Sequence, residues 1–281
     1  NMERLKQQYR LHAVMSRTGS SASAVATRYQ ASYATTNYDD VLADPDVDLV
    51  LLATRHNLHG ELVLRALKAG KNVFVEKPLA ITVNELNAIA AFYADRNETP
   101  FLTTGFNRRF APAVQRIKML LASRTTPLVI NYRMNAGYIP SDSWVHGEEG
   151  GGRNIGEACH IYDLFNFLTD AKMERVHAFG VNPRGRQWMR SDNFVATTTH
   201  ADGSVCSLTY TAMGDKSHPK ERMDIYADGK VLSLDDYRSL EIAGAKDKGL
   251  ASRTRQKGHL EELQAVAGCL LEGKEWPISL E

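Results

Sequence analysis

Two positions of the sequence combine a reactive side chain with a spacing that could hold it rigidly. The first is Lys77, which comes shortly after the apolar run at residues 72–75 and directly before Pro78. A lysine held between a buried strand and a proline can aim its ammonium group at a hydroxyl or carbonyl oxygen, and it can serve in proton transfer. A surface lysine at the end of a strand fits these residues equally well. A cis Lys77–Pro78 bond is a further hypothesis.

The second position is His160, which has Glu157 and Asp163 three residues to either side. On a helix this spacing puts the three side chains on one face. Neighbouring carboxylates select the tautomer of a histidine and raise its basicity, which suits proton transfer. Two other interpretations stay open. Glu-x-x-His is a di-metal ligand pattern, but we find no matching ligands on other helices and predict no metal. An acidic first helical turn beside a core histidine is the simplest reading of the residues alone.

The elements around Lys77 alternate between short apolar runs and helical patterns. Strands are predicted at residues 10–16, 47–53, 72–75 and 101–104, and helices at 20–30, 58–69 and 82–96. This alternation indicates a doubly wound parallel α/β sheet, in which ligands bind at the carboxyl ends of the strands. The polar residues that follow the strands are therefore expected to converge on one crevice: Thr54, Arg55, His56 and His59, then Glu76 and Lys77, then Asn107 and Arg108.

The pattern changes after residue 105. Helices are predicted at 113–123, 157–168 and 259–271, and a strand at 128–135. Strand-like runs separated by turns between 175 and about 242 indicate an antiparallel meander. We therefore predict two domains, residues 1–107 and 108–281, the second an α+β domain with a large, mostly antiparallel open sheet. Tyr138, Trp144 and His146 in the loop before Gly150 are candidates for a sugar-stacking platform or for simple loop packing.

Composition limits the classes of protein to be considered. The 281 residues are 43% hydrophobic, and 34 Lys plus Arg oppose 33 Asp plus Glu. This near balance gives no general attraction to nucleic acid or to an anionic membrane, and we predict neither as a partner. The sequence contains no apolar run of about 18 residues. Three distant cysteines do not form a disulfide framework, so we expect a cytoplasmic protein.

Together these motifs resemble the glucose–fructose oxidoreductase and inositol dehydrogenase family, Gfo/Idh/MocA. The strongest parts are residues 39–48, the segment ALKAGKNVFVEKP at 66–78, and the glycines at 150–152 with His160 and Asp163. The segments at 53–56, 105–110, 130–137 and 155–160 are similar to one branch, the C-terminal module of bi-domain oxidoreductases. The resemblance implies a Rossmann domain that carries NAD or NADP. It also implies a second domain whose sheet covers the nicotinamide and often mediates oligomers, here a homodimer or tetramer.

The resemblance also implies roles for individual residues. Lys77 would bind the reacting oxygen of a polyol or sugar derivative, and His160 would transfer the hydroxyl proton while hydride passes to or from the cofactor. The expected cofactor-binding residues are Ser16, Arg17, Thr54, Arg55, His56, His59, Glu76, Lys77 and Asn107. The expected substrate-binding residues are Arg108, Asn135, Tyr138, Trp144 and Asp163.

Two departures from the family pattern stand out. The family has an aspartate four residues before the histidine, where this sequence has Gly156; we expect Glu157 to replace that carboxylate as a third catalytic residue, or His160 to lack it. The G-x-G-x-x-G fingerprint is also missing, and the first glycine is Gly19. We expect about 20 residues or more, forming the first strand and its glycine loop, to precede the sequence. Either the chain is a fragment, for example of a larger fusion polypeptide, or its site is impaired.

The leading functional hypothesis is an NAD(P)-dependent oxidoreductase module that acts on a sugar- or cyclitol-like alcohol or carbonyl. Ser16 and Arg17 stand where an acidic residue normally reads the ribose of NAD, and a guanidinium there favours the 2′-phosphate of NADP. The first alternative is a catalytically silent fragment that acts as a binding or dimerisation module. The second is a metal hydrolase that uses Glu157, His160 and Asp163.

Overall fold

The first part of the chain folds around short parallel strands. The computed structural model describes residues 2–94, 99–182, 184 and 187–279. Strands β1 (Ala13–Met15) and β2 (Tyr33–Thr35) pair in parallel, and β3 (Leu49–Leu52), β4 (Asn72–Val75) and β5 (Leu102–Thr104) form a three-stranded parallel sheet in that order. The helices are α1 (Gly19–Tyr29), α2 (Tyr38–Ala43), α3 (His59–Lys68) and α4 (Val83–Ala94). The Rossmann-like α/β prediction is confirmed.

Helix α4 begins with the reciprocal cap that its sequence predicts. The Glu85 carboxylate accepts hydrogen bonds from the Thr82 amide at 3.0 Å and the Ile81 amide at 3.2 Å, and the Glu85 amide donates to the Thr82 hydroxyl at 3.2 Å. These bonds satisfy amide groups that a helix start otherwise leaves without partners. The predicted end of this helix at residue 96 lies outside the described residues.

A second unit is built on an eight-stranded sheet. Its strands are β6 (Val129–Asn135), β7 (Met173–Gly180), β8 (Phe194–His200), β9 (Val205–Thr211), β10 (Glu221–Ala227), β11 (Lys230–Asp235), β12 (Ser239–Ala243) and β13 (Leu250–Ala251). Their order is β13-β12-β11-β10-β6-β9-β8-β7, and every pair except β6 with β9 is antiparallel. The mostly antiparallel sheet is confirmed, but the simple meander is wrong because β6 inserts between β9 and β10.

Two helices cover one face of this sheet. They are α5 (Pro112–Leu121) and α6 (Cys159–Thr169), and a π-helical turn at Asn154–Ala158 leads into α6. Alternate residues of β6, namely Ile130, Tyr132 and Met134, are buried in the core together with Ile117 and Leu164 of the helices. The period of two along the strand thus gives the sheet one packed face and one open face.

The last helix, α7 (His259–Glu272), joins the first unit through its C-terminal part. The chain divides into residues 1–105 with 262–281, and residues 106–261. Val266 and Cys269 of α7 pack with Phe74 and Phe101 of the first unit, and this apolar contact makes the segment part of that unit. The prediction from the sequence assigned the same segment to the second domain. Among the residues that the structure describes, none of the helices combines the length and the apolar character that crossing a bilayer requires.

Candidate functional site

Lys77 lies at the carboxyl end of β4, where parallel sheets bind ligands. The Glu76 amide donates to the Leu52 carbonyl of β3 at 2.8 Å, and the Gly105 amide donates to the Val75 carbonyl at 2.7 Å, so both neighbouring strands hold the end of β4. A Cβ at position 105 would lie 3.1 Å from a carboxylate oxygen of Glu76, so glycine lets this side chain stay in place without a shift. The Lys77–Pro78 peptide bond is cis, which confirms that hypothesis. The structure therefore brings Glu76 and Lys77 together at the predicted edge.

The residues after β3 reach the same edge of the first unit. Thr54 and Arg55 are exposed and His56 is buried. His59, predicted to contact a cofactor, is fully buried in the first turn of α3. Its Nδ1 lies 2.7 Å from the Pro78 carbonyl oxygen and its Nε2 lies 3.2 Å from the Thr54 carbonyl oxygen. The His59 ring thus connects the two strand ends instead of facing outward.

Ser16 and Arg17 directly follow β1, as the cofactor hypothesis requires. The Ser16 hydroxyl donates to the Thr18 carbonyl at 2.8 Å and so shapes the turn into α1. Arg17 is exposed. An exposed guanidinium at the carboxyl end of a parallel strand can bind an anionic group such as a phosphate.

His160 lies in the first turn of α6 in the second unit. Its ring is buried, and the Phe106 ring meets it edge to face at a centroid distance of 6.0 Å. Asp163, one turn further on, accepts two hydrogen bonds from the Arg109 guanidinium, at 2.6 and 2.7 Å. Burial raises the pKa of Asp163 above its ordinary value, although Arg109 acts in the opposite direction. The structure places Asp163 in this bidentate ion pair, and its contact with substrate stays a prediction.

Glu157, the predicted carboxylate partner of His160, points to a different set of groups. Its carboxylate accepts hydrogen bonds from Lys220 at 2.6 Å, from Arg153 at 3.0 Å and from the Tyr210 hydroxyl. Burial alone would raise the pKa of Glu157, but these three partners outweigh it and hold the pKa at about 2. A carboxylate so firmly ionised is a poor proton carrier near neutral pH. The structure thus argues against the catalytic role predicted for Glu157.

Asn107 and Arg108 lie in a buried polar cluster of the second unit. The Asn107 carboxamide donates to the Lys257 carbonyl at 2.6 Å. Arg108 donates twice to Glu221, at 2.8 and 3.0 Å, and Glu221 also accepts from Tyr132 at 2.6 Å. These bonds hold both side chains inside the second unit, and the contacts of Asn107 with cofactor and of Arg108 with substrate stay predictions.

The remaining predicted substrate residues are Asn135, the last residue of β6, and Tyr138 and Trp144 in the segment that follows. The Asn135 carboxamide donates to the Asp215 carbonyl at 2.7 Å and is buried. Tyr138 is exposed and meets Trp188 edge to face at 5.4 Å, whereas Trp144 is half-buried in a short 3₁₀ helix. Of the three loop aromatics, Tyr138 thus keeps the exposure that a stacking platform needs.

Some residues that shape the site were missed from the sequence. Arg153 is buried and donates to the Gly137 carbonyl at 2.6 Å and the Ala136 carbonyl at 3.1 Å as well as to Glu157. Its spacing of four residues from Glu157 was a readable signal for an ion pair. Tyr210 and Lys220 gave no such signal, because only the folding of the sheet brings them to Glu157.

The structure offers no support for a metal site at Glu157, His160 and Asp163, since both carboxylates are bound by cationic side chains. Within the described ranges, the group with ligand atoms close enough to share a metal consists of His12, Asp44 and Asp46, at most 4.8 Å apart. His12 and Asp44 there bond each other at 3.0 Å.

Comparison with known proteins places the chain in a family. Residues 1–104 match the family described as "Oxidoreductase family, NAD-binding Rossmann fold", and residues 115–233 match the "GFO/IDH/MocA C-terminal domain". Scyllo-inositol 2-dehydrogenase (NAD(+)) of Bacillus subtilis is 26% identical over 84% of this chain and 71% of its own length. "Uncharacterized oxidoreductase YrbE" of the same organism is 27% identical over 79% and 67%. Mouse "Glucose-fructose oxidoreductase domain-containing protein 2" is 30% identical over 85% and 64%, so the chain spans about two thirds of these relatives.

Solved structures show the same fold. An oxidoreductase domain protein from Kribbella flavida superposes with a TM-score of 0.81 at 22% identity, over 99% of this chain and 87% of that one. A levoglucosan dehydrogenase, solved with NADH and levoglucosan, gives 0.79 at 21%, over 96% and 83%. With both domain matches and the parallel and antiparallel sheets described above, the chain belongs to the Gfo/Idh/MocA family of NAD-binding oxidoreductases.

Proposed function

We propose that the chain transfers hydride between a nicotinamide cofactor and a sugar- or cyclitol-like alcohol or carbonyl. The observation that carries this proposal is the placement of Lys77 at the carboxyl edge of the parallel sheet, directly after Val75 and Glu76, which the two neighbouring strands hold by backbone hydrogen bonds. The relatives support the substrate class, since one is an inositol dehydrogenase and one structural neighbour was solved with levoglucosan.

The residues at this edge fit part of a dinucleotide. A ribose and its phosphate need hydroxyl and cationic donors, which Ser16, Arg17, Thr54 and Arg55 supply after the strands β1 and β3. We propose NADP over NAD because Arg17 is an exposed guanidinium at the position where, by the resemblance, an acidic residue would contact the ribose of NAD. We assign no residue to the pyrophosphate, since the sequence holds no G-x-G-x-x-G motif. When bound, the nicotinamide supplies the hydride acceptor or donor.

The protein's own groups would handle the oxygen and its proton. In this proposal the Lys77 ammonium donates a hydrogen bond to the reacting oxygen of the substrate. The His160 imidazole takes the hydroxyl proton in oxidation and returns it in reduction. Tyr138 offers an exposed ring to the apolar face of a sugar. Glu157 stabilises the turn that carries His160 but moves no proton.

A silent binding module is the alternative that we do not favour, because the chain keeps both Lys77 and His160 and its relatives are oxidoreductases. The bi-domain branch and a larger fusion polypeptide stay predictions. We place the protein in the cytoplasm, which its three free thiols support.

We also propose a homodimer or tetramer that forms through the open face of the eight-stranded sheet. Strand pairing puts Phe179, Val195, Val205, Val129 and Tyr226 on this face, where they are 39 to 78% exposed. Apolar groups exposed together favour contact with another protein surface. Light scattering should show an oligomer, and Phe179→Asp with Val195→Asp should reduce it to a monomer.

Cofactor titration tests the proposed function first. NADPH and NADH are added to the purified chain while energy transfer from tryptophan to the reduced nicotinamide is followed. We expect saturable binding, tighter for NADPH, and loss of that preference in Arg17→Ala. Failure of both cofactors to bind would favour the silent alternative.

Substitutions of the two reactive residues test their roles once a sugar or cyclitol substrate is found. Lys77→Ala and His160→Ala should each lower kcat by at least 100-fold, the usual contribution of a positioned proton donor or acceptor. Unfolding midpoints in urea should stay close to that of the unmodified chain. Near-normal turnover in either variant would remove the corresponding role.

A further inference from the structure

We propose that His59 is a positioning residue that fixes the direction of Lys77 by holding the carbonyl group of Pro78. The proposal rests on the function proposed for Lys77, and it adds a residue whose side chain touches neither substrate nor cofactor. It replaces the cofactor contact that the sequence predicted for His59.

The surroundings of the His59 ring exclude a direct role. The residue is 0% exposed, so a ligand in solution cannot reach it. Nδ1 lies 2.7 Å from the Pro78 oxygen and Nε2 lies 3.2 Å from the Thr54 oxygen. Both ring nitrogens therefore face backbone carbonyl groups at the ends of the strands β3 and β4.

The two distances indicate which contact matters more. A neutral imidazole has a single N–H and can donate to one carbonyl at a time. The contact at 2.7 Å is at the short end of the range for an N–H···O bond, and the one at 3.2 Å is at the long end. The geometry thus favours a proton on Nδ1 that is donated to Pro78.

Because Pro78 directly follows Lys77, the bond from His59 to Pro78 also restricts the backbone of Lys77. On one side of Lys77, the Glu76 amide is bonded to Leu52 at 2.8 Å. On the other side, the proline ring fixes φ of Pro78, so a bond to its carbonyl also fixes ψ. The backbone of Lys77 is then fixed by the residues on both sides, so its side chain projects in a defined direction. Without the His59 bond, the anchor on the proline side is lost.

Two substitutions separate the two contacts of the ring. The amide nitrogen of asparagine stands close to the place of Nδ1, and that of glutamine close to the place of Nε2. His59→Asn therefore keeps a donor toward Pro78, whereas His59→Gln keeps one only toward Thr54. Both variants lose the aromatic ring, so each serves as the packing control for the other.

The readout is the NMR signal of the lysine Cε–Hε groups in protein labelled with 13Cε-lysine. Lys77→Arg assigns the signal of Lys77. Lys71 is the internal reference, because its ammonium group is held by the Asp44 and Val47 carbonyls at 2.6 and 3.0 Å in the same unit. An unchanged Lys71 signal shows that the unit is still folded.

We expect a Lys77 signal distinct from that of free lysine in the unmodified chain and in His59→Asn. In His59→Gln it should move toward the free-lysine position while the Lys71 signal stays. Equal signals in the two variants, or a Lys77 signal at the free-lysine position in the unmodified chain, would overturn the proposal. If this pattern holds but no dehydrogenase activity is found, the function proposed for Lys77 fails and the positioning by His59 stands. Where activity is found, His59→Gln should lower kcat at least tenfold more than His59→Asn.

Discussion

Replacing Glu157 by glutamine separates a structural role of this carboxylate from a catalytic one. In the folded chain Lys220, Arg153 and Tyr210 hold the pKa of Glu157 at about 2, against an ordinary value of 4.5. The folded state therefore binds the proton more weakly than the unfolded state does. Ionised Glu157 stabilises the fold above pH 4.5, and this stabilisation is lost as the pH falls toward 2.

The size of the effect follows from the same pKa values. At about 1.4 kcal/mol per pKa unit, the fall from 4.5 to about 2 corresponds to roughly 3 kcal/mol. Glutamine keeps the shape of the side chain but has no charge, so Arg153, whose side chain is only 2% exposed, loses its closest counter-charge. We expect Glu157→Gln to lower the free energy of unfolding at pH 7 by about 2–3 kcal/mol.

Urea denaturation between pH 7 and pH 2 measures this difference. The gap between the unmodified chain and Glu157→Gln should stay constant down to about pH 4.5 and then close as the pH approaches 2. Glu148→Gln, in the exposed loop nearby, is the control and should change stability by less than about 0.5 kcal/mol. A loss below about 1 kcal/mol at pH 7, or a gap that does not depend on pH, would refute the reasoning.

Two other substitutions test the packing that positions the site. Gly60→Ala puts a Cβ 2.8 Å from a side-chain carbon of α4, and urea denaturation should show a loss of about 1–3 kcal/mol in the free energy of unfolding. Gly19→Ala is the control and should be close to neutral, because the nearest atom to its Cβ is 3.9 Å away. Similar losses in the two variants would contradict this account. Glu221→Gln leaves Arg108 buried without its counter-charge and should cost about 3–5 kcal/mol by the same assay, against less than about 1 kcal/mol for Asp39→Asn in an exposed ion pair. A small loss for Glu221→Gln would mean that Arg108 finds another acceptor.

The sequence predicted the fold where the signal was local. The apolar run at 47–53 and the capping pattern of Glu85 each lie within one element, and both elements form. β2 was missed because Tyr33–Thr35 is only three residues long and is not buried. The parallel pairing of β6 with β9 could not be predicted, because residues that pair across it, such as Val129 and Val205, are 76 positions apart.

The same distinction explains the outcome at the candidate site. Lys77 could be found because the strand before it and the proline after it are its immediate neighbours. The partners of Glu157 could not be, since Tyr210 and Lys220 lie 53 and 63 residues away. A spacing of three residues places Glu157 and His160 on the same helix face only if the whole segment is an α-helix. The segment at Asn154–Ala158 is instead a π-helical turn, which changes the angle between successive side chains.

That turn also bears on the aspartate that the family has at the position of Gly156. Glu157 follows Gly156 in the sequence, but its carboxylate is bonded to Lys220 and Tyr210 and so does not take the place of that aspartate. Asp163 is likewise held by Arg109 on the other side of His160. Gly156→Asp then becomes the informative change: it should raise kcat and shift the pH dependence of turnover if the missing carboxylate limits the reaction. An unchanged pH profile would show that His160 does not need it.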